Sequence, residues 1–316
     1  MSTPSTLFLT GANGYIGRVV GERLVAAGYR VRGLVRKAEQ APQIVAAGMF
    51  PVIGDLLDSD CLDQATHGVD AIVHTASFGP LPEGDLGQQL NTAMRAMSDL
   101  AQRSARLGVR LVLTSGGSAY GDRSHAPADE TTHLDREGFF GPLAELEESL
   151  GQQANITIIR AGIVYGRGAS KPLLASLAPI RQLGSAVRVE AGHRVAVVHV
   201  DDLADLYVKT VAASAPPPVL IGAADMVETE AIMAAAANIL GYEHTARSIP
   251  PERAADYSVL GIYTSRSMWL NSAVTQSAMA WRPHRMGIED DIREGSYPPV
   301  LHQNLQPFLI DEGDKA

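Results

Sequence analysis

One stretch limits the fold of this chain more than any other: Thr10-Gly11-Ala12-Asn13-Gly14-Tyr15-Ile16-Gly17. It follows the apolar run Leu7-Phe8-Leu9. It precedes Val19, Val20, Leu24 and Val25, whose spacing suits a helix packed on a sheet. A strand ends, three glycines turn the chain, and a helix begins. Free backbone N–H groups and the positive end of the helix dipole then meet at one point, which suits a phosphate. Gly11 permits the turn, Gly14 lets a pyrophosphate approach, and Gly17 lets the helix lie close to the strand. Asn13, Tyr15 and Ile16 belong to the same ligand loop. A glycine turn without a ligand is the weaker reading, because strand, turn and helix come in the required order.

Tyr29 to Val35 reads as the second strand and ends at Arg36-Lys37. In dinucleotide-binding units the residue about 20 positions past the glycines meets the adenosine ribose. A carboxylate there favours NAD. This chain carries Arg36, with Arg32 and Lys37 close by, and arginine pairs bidentately with phosphate. The expected cofactor is therefore NADP(H) in preference to NAD(H). A solvated basic strand end is the competing reading. Two further apolar strands follow, Phe50–Asp58 and Val69–Ser77, each ending in small or polar residues. Such residues border the ligand crevice at the carboxyl ends of parallel strands. Asp55, beside Leu56, is placed to accept a hydrogen bond from an adenine amino group. Thr75, Ala76 and Ser77 are small enough for a dinucleotide to lie across them. His74, inside its strand, reads as packed core.

Helical spacing runs from Asp85 to Leu107, and a strand from Val109 to Leu113 leads into Thr114-Ser115-Gly116-Gly117-Ser118-Ala119-Tyr120-Gly121. A helix from Pro142 to Gly151 and a strand from Ile156 to Arg160 come next. Helices fit Ser170–Leu183, Asp201–Ser214 and Glu228–Leu240, and short strands fit Val195–Val200 and Val219–Ile221. With 316 residues and 46% hydrophobic content, the chain can bury a large core. A net charge of −9 argues against a broad nucleic-acid surface. The single cysteine, Cys61, rules out an intrachain disulfide and a CxxC metal site; it fits a reducing, cytoplasmic setting. No long apolar segment suggests a membrane span, and no metal is expected.

Taken in order, these landmarks resemble the extended short-chain dehydrogenase/reductase superfamily, in its epimerase/dehydratase-like branch. The shared features are TGxxGxxG at Thr10–Gly17, the Gly54-Asp55-Leu56 turn, the Val-His-x-Ala run at Val73–Ala76 and the segment ending Tyr120-Gly121. They continue with Arg160…Val164-Tyr165-Gly166, His199-Val200-Asp201-Asp202-Leu203-Ala204 and Ala280-Trp281-Arg282-Pro283. The resemblance implies an α/β fold: a Rossmann-type, doubly wound parallel sheet with a smaller C-terminal substrate-binding part. Residues 1–166 would bind the dinucleotide, with a partial return near 195–222, and 167–316 would mainly cover a small-molecule substrate. Relatives often dimerise through the helices at Asp85–Leu107 and Pro142 onward, so a homodimer is an expectation.

The superfamily's chemistry uses Tyr-x-x-x-Lys on a helix and a Ser or Thr at the preceding strand end. Tyr moves a proton at the substrate oxygen, and Lys lowers the Tyr pKa. Aligning Glu148 with the family glutamate eight residues after Tyr puts Phe140 at the Tyr position and Ala144 at the Lys position. Gly116 takes the Ser/Thr position, flanked by Ser115 and Ser118 as the remaining catalytic candidates. Phe78, Tyr120 and Phe140 suit an apolar substrate pocket. Three functions stay open: an NADPH-dependent reductase without the usual proton donor, a redox-neutral isomerase, epimerase or cyclase, and a non-enzymatic NADP(H) sensor. The reductase ranks first.

Overall fold

The computed structural model describes residues 5–76, 86–137, 140–189, 192–250 and 266–304. The chain opens with β1 (Thr6–Thr10), α1 (Tyr15–Ala26), β2 (Arg30–Val35), α2 (Ala41–Ala46), β3 (Phe50–Ile53), α3 (Ser59–Ala65) and β4 (Ala71–His74). Next come α4 (Leu86–Leu107), β5 (Arg110–Gly116), a 3₁₀ turn at Gly117–Tyr120, α5 (Gly141–Leu150), β6 (Ile156–Ala161) and β7 (Ile163–Tyr165). The remainder holds α6 (Lys171–Leu183), β8 (Ser185–Val189), β9 (Arg194–His199), α7 (Val200–Ala212), β10 (Val219–Gly222), β11 (Asp225–Glu228), α8 (Thr229–Ile239) and β12 (Glu243–Ile249). Three short helices follow: Ala273–Ala278, Ile288–Glu294 and Leu301–Asn304.

Seven strands form one parallel sheet in the order β10-β6-β5-β4-β1-β2-β3. The chain starts in the middle, runs outward through β2 and β3, and returns to β4 on the other side of β1. The order therefore reverses between β1 and β4, where ligands bind in folds of this kind. Side chains alternate between two buried faces. Leu7 and Leu9 pack with Val19, Val20 and Leu24 of α1 and with Leu203 and Tyr207 of α7. Phe8, Leu111 and Leu113 face the other way, onto Met97 and Leu100 of α4 and Leu150 of α5. Each fully buried aliphatic side chain contributes roughly 1.5–3 kcal/mol, so the period of two fixes the register of every central strand.

The edge behaves differently. Phe50 is 49% and Ile53 55% exposed, because β3 has a neighbour on one side only. The Arg30 guanidinium covers the Phe50 ring at 4.4 Å. The strand anticipated from Phe50 to Asp58 stops at Ile53, and a turn leads to α3, capped by Asp58. A second layer of β11-β9-β7 and a pair β12-β8 flank the main sheet. Their core joins α6 and α8 to Ile288, Ile292 and Tyr297.

Candidate functional site

The glycine turn is built by backbone. Gly11 has φ +70°, in the left-handed region, and a Cβ there would lie 2.5 Å from the Ala76 nitrogen. Gly14 N–H donates to Gly11 O at 2.8 Å and closes the turn. Gly14 is also the N-cap of α1 and has no side chain to cap it. The N–H groups of the first turn, from Tyr15 on, therefore have no internal acceptor, and no acidic side chain occupies that turn. A Cβ on Gly14 would meet Gly11 O at 3.0 Å and, beyond its chain neighbours, no other heavy atom within 4 Å. A Cβ on Gly17 would fall 2.1 Å from Gly11 O and 2.5 Å from Thr75 Oγ1. Gly14 thus leaves room above the helix, while Gly17 removes bulk beneath it. An anion fits this cradle.

Thr75 Oγ1 donates to Thr10 O at 2.8 Å, tying the end of β4 to β1. Thr10 Oγ1 and His74 Nδ1 are 2.7 Å apart. Burial pushes the His74 pKa down to about 4, so the imidazole is neutral and structural. Thr114 Oγ1 donates to His74 O at 2.7 Å and lies 2.6 Å from the Tyr207 hydroxyl. These bonds tie the carboxyl ends of β1, β4 and β5 to one another and to α7. Ser77 and Phe78 lie outside the described residues.

At the end of β2, Arg36 and Lys37 are exposed. Among the described residues no carboxylate lies within ion-pair distance of Arg36. Arg32, expected to assist it, is engaged elsewhere: its Nη1 donates to the carbonyls of Ala65 and His67 at 3.0 and 2.8 Å. These carbonyls lie at and just past the end of α3, where acceptors are left without helical partners. Asp55 is exposed, and its Oδ1 accepts from Leu57 N–H at 2.8 Å. Leu56 packs half-buried against the α3–α4 face of the sheet.

At the other side of the crevice a side-chain network closes the ends of β5 and β6. Ser115 Oγ donates to Glu147 Oε1 at 2.5 Å. Arg160 Nε donates to Glu147 Oε2 at 3.3 Å, and its Nη1 donates to the Tyr120 hydroxyl at 3.0 Å. Glu147 is 1% and Arg160 3% exposed. Burial pushes the Glu147 carboxyl up, against the pull of Arg160 and Ser115. Tyr120 is itself buried, and burial raises its phenol. Ser118 is exposed, and a Cβ on Gly116 would lie 3.3 Å from its Oγ. Phe140 is the half-buried N-cap residue of α5; Ala144, one turn on, packs in a small cluster with Leu134, Ile221 and Leu270.

Glu148 points away from the sheet. It accepts from Leu134 N–H at 3.1 Å and pairs with Arg136. The sheet-facing glutamate is Glu147, which the sequence reading passed over. Two signals pointed to it: a lone arginine at the end of the apolar strand Ile158-Ile159-Arg160, and an acid on the apolar stripe Leu143, Ala144, Glu147, Leu150. A buried charge needs a partner.

A third group of contacts joins α1 to the C-terminal part. The Tyr15 hydroxyl donates to Gly166 O at 2.8 Å. Arg167, at φ +54°, donates twice to Asp201 of α7, at 3.1 and 2.7 Å, and once to Glu22 of α1 at 2.6 Å.

Residues 7–222 match the NAD dependent epimerase/dehydratase family. The chain belongs to that family. Its members bind a nicotinamide dinucleotide, and the glycine cradle described above fits the pyrophosphate of such a group. The family and its relatives are enzymes, with oxidoreductases among them. Over 175 residues, half of each chain, it is 31% identical to a 4-hydroxy-2-methyl-3-oxo-4-farnesyl-3,4-dihydroquinoline-1-oxide ketoreductase of Stigmatella aurantiaca. It spans about a quarter to a half of the length of the curated relatives it matches first. Among solved structures, gox2253 superposes with a TM-score of 0.77 at 20% identity, covering 96% of this chain and 99% of that one. The Bordetella bronchiseptica enzyme WbmG in complex with NAD and UDP superposes with a TM-score of 0.75 at 16% identity, covering 98% and 97%. Among the described residues no helix is long and apolar enough to cross a membrane, and no group of three or more His, Cys, Asp or Glu side chains could hold a metal ion.

Proposed function

We propose that the chain is an NADP(H)-dependent oxidoreductase of a small organic substrate that works without a tyrosine–lysine proton donor pair. The observation that carries this reading is an uncapped α1 N-terminus served by a strand end bearing Arg36 and no carboxylate. Backbone N–H groups of Tyr15 to Gly17 hold the pyrophosphate, Arg36 holds a 2′-phosphate, and Asp55 faces the adenine. When bound, the dinucleotide supplies or accepts a hydride. Ser118 Oγ, beside the glycine at the family's Ser/Thr position, orients the substrate oxygen. Residues up to 166 serve the dinucleotide, and the later residues mainly cover the substrate.

The vacancy survives a change of register. Glu147, not Glu148, meets the sheet. Counting eight residues back from Glu147 moves the pair to Phe139 and Leu143, with Phe139 outside the described residues. Neither frame supplies a tyrosine or a lysine, and no tyrosine in the chain is followed by lysine four residues on. The name of the ketoreductase relative supports carbonyl chemistry.

The test is a fluorescence titration with NADPH and NADH, followed by NADPH oxidation with a panel of ketones, enones and imines. NADPH binds more tightly, and one carbonyl class drives oxidation. Gly14→Val abolishes binding while the melting temperature without cofactor stays within a few degrees. Binding retained in that variant, or no binding in the natural chain, defeats the reading.

A further inference from the structure

Hydride transfer at a carbon needs a matching proton movement at the oxygen. The proposed reading leaves that proton without a carrier, and the β5–β6 network offers one. Ser115 lies on β5, at the carboxyl ends of the strands, two residues beyond Leu113, the last β5 residue paired with β4. It is half-buried, so part of the residue stays accessible while its Oγ meets Glu147. Its one proton is directed inward, to Glu147 Oε1 at 2.5 Å. A carboxylate only accepts, and a serine hydroxyl has one proton and two lone pairs. The outward side of Ser115 Oγ is therefore an acceptor, suited to a substrate O–H.

Resting on the reading above, we propose that Ser115 and Glu147 form the proton relay of this site. Ser115 is the catalytic residue whose Oγ meets the substrate oxygen. Glu147 is the positioning residue, which aims that hydroxyl and holds the proton behind it. In the oxidative direction the substrate O–H bond breaks, and its proton goes to Ser115 Oγ. The proton already on Ser115 moves to Glu147 Oε1, and the C–H electron pair leaves with the hydride. Reduction runs the same path backward: Glu147 gives its proton to Ser115, and Ser115 gives its own to the developing alkoxide. Once the product leaves, water reprotonates Glu147 by way of Ser115. Charge is conserved at each transfer, and no group beyond the nicotinamide dinucleotide and water is needed.

The surroundings suit the task. Glu147 faces Arg160 from β6 and Ser115 from β5, with Tyr120 beyond Arg160 and Glu148 adjacent on α5. Burial favours its neutral form, while Arg160 and the Ser115 hydroxyl favour the carboxylate. A group pulled both ways changes protonation with little driving force, as a relay requires.

The experiment uses the full chain, Ser115→Ala and Glu147→Gln. ¹³C NMR first follows the Glu147 carboxyl against pH in cofactor-free protein. It ionises above the ordinary carboxylate range, and in Ser115→Ala it moves higher still, because a bond favouring the charged form is lost. NADPH titration follows, and both variants bind within about twofold of the natural chain. Turnover is then measured with the ketone that the natural chain reduces fastest. Each variant loses about 10²–10⁴-fold, and the Glu147 limb of the pH profile disappears in Glu147→Gln. A Glu147 carboxyl indifferent to Ser115→Ala, or turnover retained in either variant, overturns the relay and leaves the oxidoreductase reading standing. A natural chain that binds no dinucleotide or reduces no carbonyl overturns both. If Glu147→Gln fails to fold, Ser115→Ala decides by the same NMR and rate measurements, since it removes one half-buried hydroxyl.

Discussion

The two sides of the crevice are made of different material. The α1 side is backbone: three glycines, a turn and a helix end, all within eight consecutive residues. The β5–β6 side is side chain: Ser115, Tyr120, Glu147 and Arg160, brought together from three elements and a turn. A backbone site tolerates almost any sequence that keeps its glycines, because N–H groups come with every residue. A side-chain site exists only as long as each member keeps its partners. The first can be shared across many relatives, whereas the second is where one chain can differ from another.

The sharpest way to break this contrast is at Gly17. A Cβ there overlaps Gly11 O at 2.1 Å and Thr75 Oγ1 at 2.5 Å. Gly17→Val should therefore disrupt the α1–β1–β4 packing itself and leave little soluble folded protein, as read by circular dichroism and thermal melting. A well-folded variant would mean that the helix can lift away, and that the backbone site is softer than drawn.

On the other side, Arg160→Leu leaves the Glu147 carboxylate buried without its cation. The cost should be about 3–5 kcal/mol, whereas the double change Arg160→Leu, Glu147→Leu should recover most of it. Urea unfolding of the two variants measures both. Equal losses would place the stability in packing rather than in the pair.

Beneath both sides lies His74. Its folded-state pKa is about 4, against an ordinary value of 6.5. Between those pH values the unfolded chain holds a proton that the folded chain does not. Stability therefore rises with pH across this window, is complete above about pH 6.5, and is lost as pH falls toward 4. The shift corresponds to roughly 3 kcal/mol. His74→Asn should remove that share of the slope, as measured by denaturant unfolding at pH 4.5 and pH 7. An unchanged slope assigns the acid sensitivity to other groups.

The smallest expected effect is at Arg36. An exposed arginine paired with a 2′-phosphate gives about ten- to a hundredfold preference for NADPH, or roughly 1.5–3 kcal/mol. Arg36→Ala should bring the two cofactors close together in fluorescence titration. Equal affinities before the substitution would remove the assignment.

The same division governs what could be read from the amino-acid order. The glycine spacing, the apolar strands and the 3.6-residue periods located β1, α1, β2, β4 and β5 to within a few residues, because these signals are local. The Glu147–Arg160 pair was harder to see because its members are 13 residues apart, so the apolar stripe that marks Glu147 and the lone arginine that ends β6 carry no sign that they belong together. Arg32 looked free because its partners are backbone carbonyls more than 30 residues away, which have no side-chain signature. The short strands β8 and β12 pair with each other far apart in sequence, so neither carries a pattern strong enough alone.

Gly166, Arg167 and Gly168 are three consecutive residues in left-handed backbone, at φ +106°, +54° and +62°. Left-handed backbone of this kind is a natural place for a chain to bend. Arg167 instead joins two helices, α1 through Glu22 and α7 through Asp201, and the Tyr15 phenol holds the carbonyl next to it. Rotation at this point would break three charge-assisted hydrogen bonds and a phenol–carbonyl bond together. The loop is a weld: any bending between the elements before it and those after it falls elsewhere, while its root stays fixed to the helix that bears the glycine turn.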